Sequence, residues 1–239
     1  MVEGYAAQMR EALAQGLVPL GLTLTDAQME ALCRYGQLLA EKNAVMNLTA
    51  ITEPQEVARL HFVDCLALLR TVDFCEKAVI DVGCGAGFPG VPLKIGAPSI
   101  RLTLLDSTAK RMDWLRQALL PAIGVEAECL TGRAEELISG RRAQYDVAVS
   151  RAVARLNVLS ELCLPYVRVG GYFLAMKGAM ANDEALEAKN AIRTMGGRLA
   201  EIAEYPVGDA IHRVVVIEKV HPTPPAYPRR FSKIKQQPL

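Results

Sequence analysis

Asp81-Val82-Gly83-Cys84-Gly85-Ala86-Gly87-Phe88-Pro89-Gly90 follows an apolar run, Ala78-Val79-Ile80, and leads into Val91-Pro92-Leu93. A short β-branched run, a glycine-dense turn and a further apolar stretch read as strand, tight turn and helix. Glycine lacks a Cβ, so its backbone reaches left-handed conformations and lets a ligand come close. The turn is therefore the first candidate binding element, and the strand before it predicts an open α/β sheet.

The flanking sequence repeats that rhythm. Short apolar runs at 101–106, 126–130, 145–149 and 172–176 read as strands, separated by helical stretches such as 108–122, with Trp114 and Leu115, and 182–195. Alternation of this kind predicts βαβ units with helices on both faces of a parallel sheet. Two late strands, 201–205 and 212–220, have only Pro206 to Ile211 between them. No helix fits there, so they pair antiparallel. The expected fold class is α/β, Rossmann-like, with a mostly parallel seven-stranded sheet whose last strand is antiparallel.

Upstream lies a helical extension. Residues 1–16 read as a helix. Thr25-Asp26-Ala27-Gln28 is a capping box opening a second helix to about Lys42. Residues 43–52 are polar and read as a loop, and Pro54 suits the first turn of a third helix ending near Thr71. Downstream, residues 221–239 carry five prolines (Pro222, Pro224, Pro225, Pro228, Pro238) and Arg229, Arg230, Lys233 and Lys235 without any acid. Prolines stiffen such a segment into an extended basic arm. The expected organisation is a helical extension at 1–72, the α/β domain at 73–220 and the arm at 221–239.

Composition excludes several classes. With 51% hydrophobic and 22% charged residues among 239, the chain has enough apolar content for a large core and is not disordered. Its formal net charge of +1 means that any nucleic-acid contact must come from a local basic face. Cys33, Cys65, Cys75, Cys84, Cys129 and Cys163 form no C-x-x-C pair and no zinc-ligand spacing, so reduced thiols and no metal are expected. No signal peptide is seen at the N-terminus, and no stretch reaches the ~18 uncharged apolar residues of a membrane span. A soluble cytoplasmic protein is expected.

The glycine turn satisfies two patterns. Gly85, Gly87 and Gly90 fit G-x-G-x-x-G, the dinucleotide fingerprint, and Asp106 stands at roughly the 20-residue offset of its ribose-binding acid. Gly83, Gly85 and Gly87 after Asp81 instead fit D-x-G-x-G-x-G, the pattern of class I methyltransferases. A pyrophosphate needs free N–H groups at a helix N-terminus. Pro89 removes one, and Phe88 adds bulk, which favours the second pattern. S-adenosylmethionine has no phosphate. Its carboxylate suits backbone amides in the turn about Gly85, its ribose hydroxyls suit Asp106, and its apolar part suits Phe88. A nicotinamide-dependent oxidoreductase is the first rival reading, and an RNA-binding assembly factor without turnover the second.

The nucleophile is read from the loops. Ser150-Arg151-Ala152 follows the fourth strand, where amino-group methylases often carry N/D-P-P-Y/F, and no cysteine lies beside it for covalent catalysis. A guanine N7 has its lone pair available and needs no base, so positioning suffices. Arg151 is the candidate catalytic residue, with a surface ion pair as its alternative role. His61 and Asp64 share a helix face and suit either the pocket rim or a core hydrogen bond, whereas His212 is expected to be structural.

The ordered set of segments resembles the bacterial small-subunit ribosomal RNA methyltransferase G family, also called glucose-inhibited division protein B. The matching segments are Asn47-Leu48-Thr49, His61-x-x-Asp64, Asp81 to Gly90, Leu104-Leu105-Asp106-Ser107 with Lys110-Arg111, Gly132-Arg133-Ala134-Glu135, Ser150-Arg151-Ala152, Met176-Lys177-Gly178 and Tyr227-Pro228-Arg229-Arg230. The resemblance implies N7 methylation of one guanine in the decoding-region loop of 16S ribosomal RNA, with S-adenosylmethionine as donor. It implies cofactor contacts at Gly83, Phe88, Ala134, Glu135 and Arg151. The substrate, as 16S RNA or the 30S subunit, is expected to meet Arg229, Arg230, Lys233 and Lys235, and a monomer is expected.

Overall fold

A computed structural model describes residues 2–151, 154–208 and 210–239; Ala152 of the Ser150-Arg151-Ala152 motif lies outside them. Seven strands form one sheet: β1 (Ala78–Val82), β2 (Arg101–Asp106), β3 (Glu128–Thr131), β4 (Tyr145–Arg151), β5 (Val167–Lys177), β6 (Gly197–Val207) and β7 (Ala210–Lys219), in the order β3-β2-β1-β4-β5-β7-β6. β1 to β5 run parallel, and β7 pairs antiparallel with both β5 and β6. Strand order reverses between β1 and β4, so the carboxyl ends of those strands form the topological switch point where open α/β sheets bind ligands.

The central strands are apolar because both their faces are covered. Val79, Ile80, Ala148, Val149, Phe173 and Leu174 are fully buried. One core lies between the sheet and the N-terminal helices, the other between the opposite sheet face and the helices Leu156–Cys163, Ala181–Glu187 and Lys189–Thr194. The edge strand β6 exposes Arg198, Glu201 and Glu204, charges that discourage edge-to-edge pairing.

The N-terminal helices are α1 (Val2–Leu17) and α2 (Asp26–Met46). Thr25 and Gln28 close the capping box on α2. This helix continues past the expected end at Lys42, through four residues read as loop. Asn47, in the left-handed region at φ 48°, ends it, and the Asn43 side chain bonds the backbone of Thr49 in both directions at 2.9 Å. Polar side chains that signalled a loop are here consumed in ending a helix. Residues 54–70 are helical, with a π-helical turn at Ala58–Val63 carrying His61. β3 starts at Glu128 rather than at 126, because Glu128 is the first residue to meet β2, opposite Thr103.

The tail departs most from expectation. It is not a free extended arm. Arg142 donates to the Tyr227 carbonyl at 2.5 Å, Arg229 meets Glu161, and residues Phe231–Gln236 form a helix whose Ile234 is fully buried. A buried apolar anchor, Ile234, and a buried carboxylate needing a cation override the stiffening effect of the prolines. No helix among the described residues is long and apolar enough to cross a membrane.

Candidate active site

Asp81, next to last in β1, is wholly buried, and its Oδ2 accepts the Gly90 N–H at 2.8 Å. Burial pushes its carboxyl up to about 7, against the opposing pull of the Gly90 N–H. The turn then rises through Gly83 (φ 77°), Gly85 (φ 57°) and Gly87 (φ 102°), while the Gly83 and Cys84 N–H groups both reach the Leu105 carbonyl. A Cβ on Gly85 would meet nothing within 4 Å, so this backbone faces open space. A Cβ on Gly90 would lie 2.9 Å from Asp81 Oδ2; that glycine serves packing of helix against strand.

Next to the turn, β2 delivers Asp106. Its Oδ2 accepts the Gly85 N–H at 2.9 Å and its Oδ1 the Thr108 N–H at 2.8 Å. Each oxygen keeps further acceptor capacity. Asp106 lines a cleft of about 430 Å³ over the carboxyl edge of the sheet. Gly83, Gly85, Phe88, Asp106, Ala134, Glu135 and Arg151, expected to hold cofactor, all line it. Burial raises Glu135 above the usual carboxylate range. The tail contributes Phe231 to the wall, beneath the Arg133 guanidinium at 5.2 Å, which no pattern in the sequence announced.

The other end of the cleft is built by a ring of close partners. Phe88 stacks on Tyr35 at 5.2 Å, lies 4.8 Å from His61, and carries the Arg151 guanidinium over its face at 4.7 Å. Arg151 is not a surface ion pair: its side chain is 16% exposed. It donates to the Leu60 carbonyl and to His61 Nδ1, each at 3.2 Å, and pairs with Asp64 at 3.5 Å. Asp64 also accepts from His212 Nδ1 at 2.7 Å and from the Tyr205 hydroxyl at 3.1 Å. So His212 holds the carboxylate that orients Arg151, and its own hydrogen bond to Asp64 raises its pKa.

His61 is neutral, pulled down to about 4 by burial and by Arg151. A guanidinium has no acceptor, so His61 Nδ1 must accept and Nε2 must carry the hydrogen. That hydrogen goes to Thr49 Oγ1, at 2.8 Å. Both ring nitrogens are thus committed. Burial pushes the Cys84 and Cys163 thiols well up, so neither supplies a thiolate. Nor does the helix Gly90–Gly96 offer free amides to a pyrophosphate. Phe88 N–H bonds to Cys84, Gly90 N–H to Asp81, and Val91 N–H to Gly87.

Of the tail cations, Arg229 is 14% exposed in its side chain and holds both oxygens of Glu161, itself 1% exposed. Arg229 and Arg230 border a second depression next to the cleft, with Arg133 and Phe231, while Lys233 and Lys235 are exposed on the final helix.

The architecture is that of solved methyltransferases. It superposes on TrmN from Thermus thermophilus with a TM-score of 0.53 at 21% identity, over 66% of this chain and 48% of that one. It superposes on the antibiotic-resistance methyltransferase Kmr with a TM-score of 0.50 at 14% identity, over 66% and 94%. These likenesses define the class I methyltransferase fold. A family profile, rRNA small subunit methyltransferase G, matches residues 28–208. Proteins named ribosomal RNA small subunit methyltransferase G, from Alkaliphilus oremlandii and Pelotomaculum thermopropionicum, are each 43% identical over 97% of this chain and 99% of theirs. The chain belongs to the rRNA small subunit methyltransferase G family.

Proposed function

We infer that this protein transfers a methyl group from S-adenosylmethionine to N7 of one guanine in the decoding-region loop of 16S ribosomal RNA. The observation that carries the reading is a cleft with a ribose-type carboxylate at one end and, among the described residues, no available base or thiolate at the other. His61 is committed at both nitrogens, Arg151 only donates, and the thiols stay protonated. Guanine N7 needs no proton removed, so a site that only positions is sufficient.

The cleft fits the cofactor. Gly85 turns bare backbone toward open space, and Asp106 keeps acceptor sites for two hydroxyls. Ala134 and Glu135 border the adenine side, Gly83 the amino-acid side, and Phe88 the apolar middle. When bound, the cofactor supplies an electrophilic methyl on a sulfonium. The chain's own work is orientation: Asp64 and Phe88 fix Arg151, which holds polarity toward the base while leaving N7 open. Arg230, Lys233 and Lys235 are exposed and suit RNA phosphates, whereas Arg229 is spent on Glu161. The enzyme acts in the cytoplasm as a monomer. Calorimetry tests the assignment: Gly85→Val should abolish S-adenosylmethionine binding while the fold persists, and normal binding by that variant contradicts it.

A further inference from the structure

We propose that the Thr49 hydroxyl is a donor-only contact to guanine O6, which makes the cleft accept guanine and refuse adenine. The proposal rests on the N7 reading above and names the residue that reads the base.

A threonine hydroxyl ordinarily serves either partner, because it has one hydrogen and two acceptor sites. At Thr49 both acceptor sites are filled. The Ile51 N–H donates to Oγ1 at 3.0 Å, and His61 Nε2–H donates to it at 2.8 Å. The direction of the second bond follows from Arg151, which occupies His61 Nδ1 from the other side. The remaining hydroxyl hydrogen has no acceptor among the described residues, and Thr49 lines the same cleft as Phe88 and Arg151. Its position is fixed. Asn43 grips the Thr49 backbone N–H and C=O, both at 2.9 Å, and Asn47 sets the chain direction with its left-handed φ of 48°. The segment Asn47-Leu48-Thr49 is thereby a built element rather than a passing loop.

Base chemistry supplies the rest. Beside N7, guanine presents O6, an acceptor, and adenine presents N6, a donor. A hydroxyl that can only donate bonds the first and faces the second donor-to-donor. Leaving buried polar groups unpaired is what gives such sites their discrimination.

The test is a cycle of two enzymes and two RNAs. Parental protein and Thr49→Val are given ribosomal RNA carrying either guanine or 2-aminopurine, which lacks O6 but keeps N7, at the methylated nucleotide. Any difference in N7 nucleophilicity cancels in the cycle. Thr49→Val should lower kcat/KM on guanine RNA about tenfold, the scale of one hydrogen bond. It should lower the rate on 2-aminopurine RNA by clearly less, because the loss of the acceptor for Ile51 and His61 is common to both RNAs and only the O6 contact differs, and Thr49→Ser should restore guanine activity. Calorimetric affinity for S-adenosylmethionine should not move. Equal losses on both RNAs overturn the proposal. So does a loss confined to cofactor affinity with base preference intact, which would assign the hydroxyl to the cofactor carboxylate. If Thr49→Val fails to fold, Thr49→Ala takes its place in the same cycle, with the same supporting and overturning results. Aniline cleavage at the methylated site reports N7 chemistry separately. Its absence overturns the N7 reading itself.

Discussion

Asp106 does two jobs at once: it ties down the Gly85 and Thr108 amides and faces the cleft. Asp106→Ala removes charge-assisted bonds of roughly 1.5–3 kcal/mol, so S-adenosylmethionine affinity should fall about tenfold to a hundredfold by calorimetry. An unchanged affinity would remove it from the cofactor site. His61 permits a test by pH. Its folded value of about 4 lies below the ordinary 6.5, so the unfolded chain binds a proton that the folded chain does not. Stability from neutral His61 is complete above 6.5 and is lost as pH falls toward 4. Asp81, raised to about 7, works in the opposite sense over that range, so the comparison must be with His61→Gln. Between pH 7 and pH 4 the parental protein should lose roughly 3 kcal/mol relative to that variant in urea unfolding. A constant difference would mean that His61 titrates normally. At this scale the sequence was half legible. The glycines and Asp106 announce themselves by spacing, but Arg151 and His61 are 90 positions apart and only the fold joins them.

The tail is the element where sequence pattern and structure part. Five prolines and four cations read as an arm, yet Glu161, buried at 1% exposure on the helix Leu156–Cys163, requires Arg229. No pattern in either segment could reveal a partner 68 residues away. Arg229→Ala should therefore cost roughly 3–5 kcal/mol in denaturant unfolding, because it strands a buried carboxylate. A change below 1 kcal/mol would show the pair to be dispensable. Arg230, Lys233 and Lys235 are exposed and belong to a different experiment. Replacing these three with Gln should weaken RNA binding and flatten the slope of log affinity against log salt by about 2, at ~0.7 per single-stranded phosphate contact. The parental slope in that variant would move the phosphate contacts to Lys110, Arg111, Arg133 and Arg155.

For the whole molecule, period and punctuation carried most of the fold. Seven strands and the closing antiparallel hairpin follow from apolar runs and from the gap too short for a helix, because those rules are local. The extension of α2 and the docking of the tail followed side-chain pairings that no local rule encodes. The strand order then assembles distant segments at one edge: the turn after β1, Asp106 from β2, Glu135 after β3, Arg151 from β4, and Thr49 and His61 from the extension. The role proposed for such a cleft is to position the base rather than to deprotonate it. The most direct measurement is transfer of a labelled methyl group from S-adenosylmethionine to small-subunit ribosomal RNA, followed by chemical cleavage at N7-methylated guanine. The account predicts label at a single guanine N7, and loss of transfer in Gly85→Val. Label on a pyrimidine or on an exocyclic amine, or binding of NADH without any methyl transfer, would contradict it.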